Sequence, residues 1–156
     1  MKKLYKFIAL ALTASFVHFS AYAADAKATP EEAITMVKAV IASLKANGKE
    51  KTFAEIADTS NKKFHDRELY VVVFDLKGFN VAHGNNPKIV GKDLINMKDA
   101  DDTFITKNFI KIATSPQGNG WFDYKWKNPV SGEVEKKSTY IQKADGDILV
   151  GVGIYK

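Results

Sequence analysis

The chain has 156 residues, 46% of them hydrophobic, enough for one domain around a single core and too few for two ordinary ones. It has no cysteine, which excludes disulfide staples, thiolate zinc sites, covalent c-type haem and cysteine nucleophiles. Of the 23 basic residues, Lys2, Lys3 and Lys6 crowd the N-terminus, leaving 20 against 18 acidic ones in the rest, too even a balance for a nucleic-acid-binding face.

Those lysines precede an apolar run from Phe7 to Phe19 and the small-x-small triplet Ala21-Tyr22-Ala23. Residues 1–23 therefore read as a cleaved secretory signal peptide, and 24–156 as a single mature domain outside the inner membrane. The run is shorter than the roughly 20 residues of a membrane span.

Thr29-Pro30-Glu31-Glu32 combines an N-cap, a first-turn proline and a capping-box glutamate, and Ile34, Val37, Ile41 and Leu44 continue one apolar stripe to a stop at Asn47-Gly48. Thr52-Phe53-Ala54-Glu55 predicts a second, shorter helix. LYVVVFD, the turn DLKG and FNVAH predict a hairpin over residues 69–83. Residues 85–102 form a polar connection long enough to cover something. A helix is expected from about 102 to 113, capped by Asp101 or Asp102; the cluster Asp99, Asp101, Asp102 lacks the spacing and glycine of a calcium loop.

WFDYKW, VEKKSTYIQK and ILVGVGIY then predict three strands joined by short turns, hence antiparallel neighbours. The sum is an α+β fold with its helices on one side of an antiparallel sheet. Alternation sends Phe122, Tyr124 and Trp126 to one face and Trp121, Asp123 and Lys125 to the other. Phe122 reads as core; Tyr124 and Trp126 carry polar groups that need partners when buried, which suits a pocket wall.

The blocks LYVVVFDLKGFNVAH, VGKDL, GWFDYKWKNPVSGEVEKKSTYI and VGVGIY, in that order, resemble the type 2 single Cache domain, a PAS-like extracytoplasmic ligand sensor of bacterial chemoreceptors and sensor kinases. The resemblance implies a five- or six-stranded antiparallel sheet, a long N-terminal helix, a helix-containing loop packed on the sheet, and a pocket for a small carboxylate or similar metabolite. It implies ligand-site roles for Tyr70, His83 and Lys137, which match the family's pocket aromatic, strand-end histidine and pocket lysine. Trp121, Tyr124, Trp126 and Tyr140 complete the candidate set. From the residues alone, Tyr70 reads equally as a packing aromatic and His83 as a structural histidine. Lys136 and Lys137 face opposite ways, and Tyr140 faces away from Lys137 unless a bulge intervenes.

No nucleophile with its base, carboxylate pair or metal triad stands at a recognisable spacing, so the reading is a periplasmic binding module without cofactor, not an enzyme. With only His65 beside His83 in the mature chain, a histidine metal site is not expected. The expected partners are the metabolite and a membrane sensor or chemoreceptor, with the domain itself a monomer or weak homodimer. Since the sequence stops soon after the last strand, it is expected not to signal across a membrane alone. A ligand-free interaction module is the alternative.

Overall fold

The computed structural model describes residues 27–156; the signal-peptide reading of residues 1–23 lies outside them. Helix α1 (Pro30–Ala57) starts as its sequence dictates: Thr29 Oγ1 accepts from the Glu32 amide at 3.2 Å, and Glu32 Oε2 accepts from the Thr29 amide at 2.7 Å. At Gly48 the backbone leaves helical geometry with φ 79°, a conformation glycine adopts without steric cost, and the chain re-enters the helix directly. Thr52 is no cap. It is fully buried inside the second helical stretch, its hydroxyl 3.0 Å from that of Ser43.

Six strands follow: β1 (His65–Asp66), β2 (Leu69–Asp75), β3 (Asn80–His83), β4 (Asn119–Lys127), β5 (Val134–Lys143) and β6 (Ile148–Tyr155). All pairings are antiparallel, in the order β1-β2-β6-β5-β4 with β3 also on β2. The first hairpin contains a bulge between Val73 and Phe74. The connection from β3 to helix α2 (Ile105–Ala113) holds a short 3-10 turn at Pro87–Ile89.

Coverage of the sheet departs from the expectation. The helices lie on opposite faces. Val71, Val73, Val150 and Val152 pack with Val37, Val40 and Ile56 of α1, while Phe74, Ile141 and Leu149 pack with Ile105 and Phe109 of α2. The reason is legible in β6, whose eight residues are all buried: a central strand covered on both faces shows no polar alternation.

Helix α2 also begins later than expected. Its N-cap is Phe104, without a side-chain cap, and neither Asp101 nor Asp102 fills that place. Asp99 organises the approach instead: Oδ1 accepts from the amides of Asp101 and Thr103, and Oδ2 from that of Lys125 on β4, each at 2.9 Å. One carboxylate thus fastens the long connection to the sheet.

Candidate functional site

Between the α2 face and the long connection lies a cavity of about 20 Å³, lined by Tyr70, His83, Tyr124 and Trp126 on the sheet side and by Ile89, Met97, Ile105 and Phe109 on the covering side. That is room for about one water molecule. An outer groove of about 500 Å³, lined by Asn85, Asn86, Lys127, Asn128 and Pro129, shares His83 and Trp126 with it. These two side chains line both the groove and the cavity.

The aromatic wall is a consequence of strand parity. Phe122, Tyr124 and Trp126 project together from β4, and Phe109 of α2 meets the first two edge-on, at centroid distances of 6.1 and 5.7 Å. Such contacts hold ring planes in fixed orientations. The Tyr124 hydroxyl lies 3.0 Å from Thr139 Oγ1, so its polar end is satisfied inside the wall. Burial raises its pKa far above the ordinary phenol value.

His83 is 6% exposed, and its Nδ1 accepts from the amides of Asn85 at 3.1 Å and Asn86 at 2.8 Å. That assignment fixes the neutral tautomer: Nε2 carries the proton and remains a donor. Burial, then the charge of Lys137, lowers the pKa of His83 to about 4, so it is neutral at physiological pH.

Lys137 is 2% exposed. Its Nζ donates to Tyr155 Oη at 3.2 Å and sits 3.9 Å from the Tyr70 ring centroid and 4.7 Å from that of Tyr155. It does not line the cavity itself; its Nζ lies over the ring of Tyr70, which does. The Tyr155 hydroxyl donates its own proton to the Lys127 carbonyl at 2.8 Å. Burial lowers the pKa of Lys137 well below the usual lysine value, against a weaker opposing pull from Glu68.

The floor beneath Lys137 is glycine. A Cβ on Gly153 would overlap Cε of Lys137 and come within 2.5 Å of Thr139 Oγ1, and one on Gly151 would lie 3.1 Å from methyl groups of Thr139 and Val72. The alternate glycines of VGVGIY all face the site; the intervening valines face α1. This role was missed in the sequence, although a period-two Gly/Val strand is its signature.

Of the seven residues proposed from sequence, Tyr70, His83, Tyr124 and Trp126 line one cavity and Lys137 backs it. Trp121 and Tyr140 do not join them. The β4–β5 register runs without a bulge from Asn119↔Gln142 to Lys127↔Val134, so Tyr140 stays on the face opposite Lys137. There it pairs with Trp121 across the strands at 5.4 Å and packs on the α1 core. Lys136 is exposed on that face too. Among the described residues no group of three His, Asp or Glu side chains could hold a metal ion.

A mixed helical cover over a five-stranded antiparallel path, with a small cavity beneath the helix-bearing connection, defines the PAS-like class of sensor domain. The sequence profile described as Single Cache domain 2 matches residues 9–156, and the chain belongs to that family. A sensor histidine kinase, MctS, of Rhizobium johnstonii is 27% identical over 92 residues, and a methyl-accepting chemotaxis protein, McpP, of Pseudomonas putida is 31% identical over 93. Each match takes in 58% of this chain but only 20% and 17% of those proteins, so the chain corresponds to about a fifth of their length. Among solved structures, a methyl-accepting chemotaxis protein from Vibrio parahaemolyticus superposes with a TM-score of 0.63 at 20% identity, over 80% of this chain and 86% of its own. A Cache chemosensory domain described for its carboxylic acid recognition gives 0.61 at 23% identity, over 77% and 83%. A periplasmic sensor domain of a chemotaxis protein gives 0.62 at 23%, over 80% and 88%. The matched domains are sensor modules of receptors and kinases. No helix among the described residues is long and apolar enough to cross a membrane.

Proposed function

We propose that this domain is a periplasmic, non-enzymatic receptor for a small organic acid, and that Tyr70, His83, Tyr124, Trp126 and Lys137 form its site. The observation that carries this reading is the sign of the polar groups. The cavity wall offers the Nε2–H of a neutral His83 beside a hydrogen-bonded row in which the Trp126 indole meets the Tyr70 hydroxyl and Tyr70 meets Tyr155, with the Lys137 amine over the Tyr70 ring and no carboxylate among the lining residues. A wall with N–H and O–H groups and no negative charge suits an anion with several lone pairs, and a carboxylate meets that description at the smallest size. The carboxylic acid recognition of the related Cache structure and the kinase and chemoreceptor relatives support the same class of ligand and of partner: a membrane-bound sensor that reads occupancy. Residues 1–23 would then act as the export signal, leaving 24–156 as the binding domain.

Because the cavity holds about 20 Å³, entry of even acetate requires Ile89 and Met97 of the covering connection to move outward. A ligand of four to six heavy atoms gains at most about 1.5 kcal/mol per atom, or roughly 6 to 9 kcal/mol, which corresponds to micromolar affinity at best. The domain therefore reports abundant metabolites. The small volume also favours a second reading, a ligand-free interaction module with a filled core.

A thermal-shift series with acetate, pyruvate, amino acids, urea and simple amines separates the two. At about 100 times its dissociation constant a true ligand adds roughly 2.7 kcal/mol and raises the midpoint by several degrees. Shifts confined to the carboxylates are expected. A cooperative melt unmoved by the whole panel overturns the receptor reading in favour of the interaction module.

A further inference from the structure

Lys137 is a buried amine without a counter-ion. Among the described residues no carboxylate lies within ion-pairing distance of its Nζ, whose one hydrogen-bond acceptor is the neutral Tyr155 hydroxyl. The groups around it are few. β2 contributes Tyr70, β3 His83, β4 Tyr124 and β6 Tyr155; α2 and the 3-10 turn present only Ile105, Phe109 and Ile89 to the cavity. Two carboxylates act at longer range. Glu68, before β2, bears on Lys137 but holds the Ala28 amide at 2.7 Å, and Glu135, bearing on Tyr155, holds Ser131 and Asn128.

Resting on the proposed carboxylate site, we infer that this receptor takes up its ligand as a carboxylate together with one proton, and that the proton resides on Lys137. The argument is one of charge. A lone ammonium in an apolar enclosure loses most of its hydration, and two aromatic faces return only part of it. A lone carboxylate placed against the same enclosure suffers likewise. Together they compensate each other, so each favours the charged form of its neighbour. The direction of the shift at Lys137, downward through burial, agrees with an amine that sheds its proton when the site is empty; burial, the larger cause at His83, then keeps that residue neutral without the charge of Lys137.

No other group there can accept the proton at similar cost. His83 would have to give up the amides of Asn85 and Asn86, both of which donate to the nitrogen that would be protonated. The tyrosines are already protonated, and burial raises the pKa of each. In outline, ammonium-forming uptake makes one N–H bond on Nζ with a proton taken from buffer, and no other bond changes.

Calorimetric titration of the purified protein with pyruvate, an anion at all the pH values used, tests this directly. Run at about pH 8 in two buffers of different ionisation enthalpy, the apparent binding enthalpies should differ by an amount equal to uptake of a substantial fraction of one proton. Affinity should weaken with rising pH, approaching tenfold per unit. Isotope-labelled lysine Cε, assigned with Lys137→Met, should show by NMR a neutral-type signal that becomes ammonium-like on adding pyruvate. Binding with a buffer-independent enthalpy and an unchanged Cε signal overturns proton uptake while leaving the carboxylate receptor standing. Proton uptake with an unchanged Lys137 signal overturns the assignment to that residue. No binding of pyruvate or acetate by the folded protein overturns both readings.

Discussion

Lys137 sets function against stability in one side chain. Its burial costs hydration that Tyr155 and two ring faces recover only in part, so an apolar side chain of similar volume should be better tolerated than the native one in the empty protein. Lys137→Met is expected to raise the unfolding free energy by about 1 to 3 kcal/mol, the cost of a buried polar group whose hydrogen bonding is incomplete. The same variant should bind neither acetate nor pyruvate. Denaturant titration with calorimetry checks both halves; a destabilised Lys137→Met protein would mean that the amine is well solvated where it stands. Trp121→Ala is the complementary test. Trp121 is 37% exposed on the face away from the cavity, so its loss is expected to leave carboxylate affinity within twofold of the native value while costing some stability through the lost Tyr140 contact.

The elements explain how these residues come together, and how far their placement could be foreseen. β5 and β6 keep the bounds that alternation and turn residues define, because β5 follows the Gly132 turn, the two meet at Ala144-Asp145-Gly146-Asp147, and each carries an uninterrupted strand pattern. Lys137, Thr139 and Ile141 sharing a face follows from parity alone. Whether Tyr140 joined them depended on a bulge, and a bulge is a tertiary matter that no local pattern marks; among the described residues the register shift lies between β2 and β3 instead. The covering of both faces was also hidden, since amphipathic stripes on α1 and α2 say that each packs on something without saying on which side. The all-buried β6 was the available signal. Asp99 was readable only as part of an acidic cluster, because its partners, the amides of Asp101, Thr103 and Lys125, are backbone groups that any sequence would supply. Gly153 yields a prediction at this scale. With a Cβ overlapping the Lys137 stem, Gly153→Ala should push the amine and Thr139 from their places, lowering carboxylate affinity at least tenfold while leaving the helical circular dichroism intact. Native affinity in a folded Gly153→Ala protein would show that the lysine stem has another path.

The molecule as a whole is a sheet clamped between a long helix that carries no site residue and a short helix with a loop that covers the site, so stability and binding are reported by different faces. His83 belongs to both. It is neutral in the fold, with its pKa lowered to about 4 from 6.5, and it fixes the turn at Asn85 and Asn86 through Nδ1. The unfolded chain therefore binds a proton at this residue before the folded one does. By linkage, its contribution is fully present above about pH 6.5 and lost as the pH falls towards 4, to an extent of about 3 kcal/mol. Carboxylates whose pKa is lowered, such as Glu32 and Asp123, lose their contributions only below the ordinary carboxylate range, so the upper part of the decline belongs to the basic groups that burial holds neutral, His83 with His65 and Lys137. Urea titrations from about pH 7 to 4 should show unfolding free energy falling from near pH 6.5 in the native protein. His83→Gln, whose amide oxygen can take the same two amides, should make the decline shallower by the His83 share, leaving that of His65 and Lys137. An equal decline in both proteins would assign it to His65, Lys137 and the carboxylates, and would mean that the fold does not lower the pKa of His83.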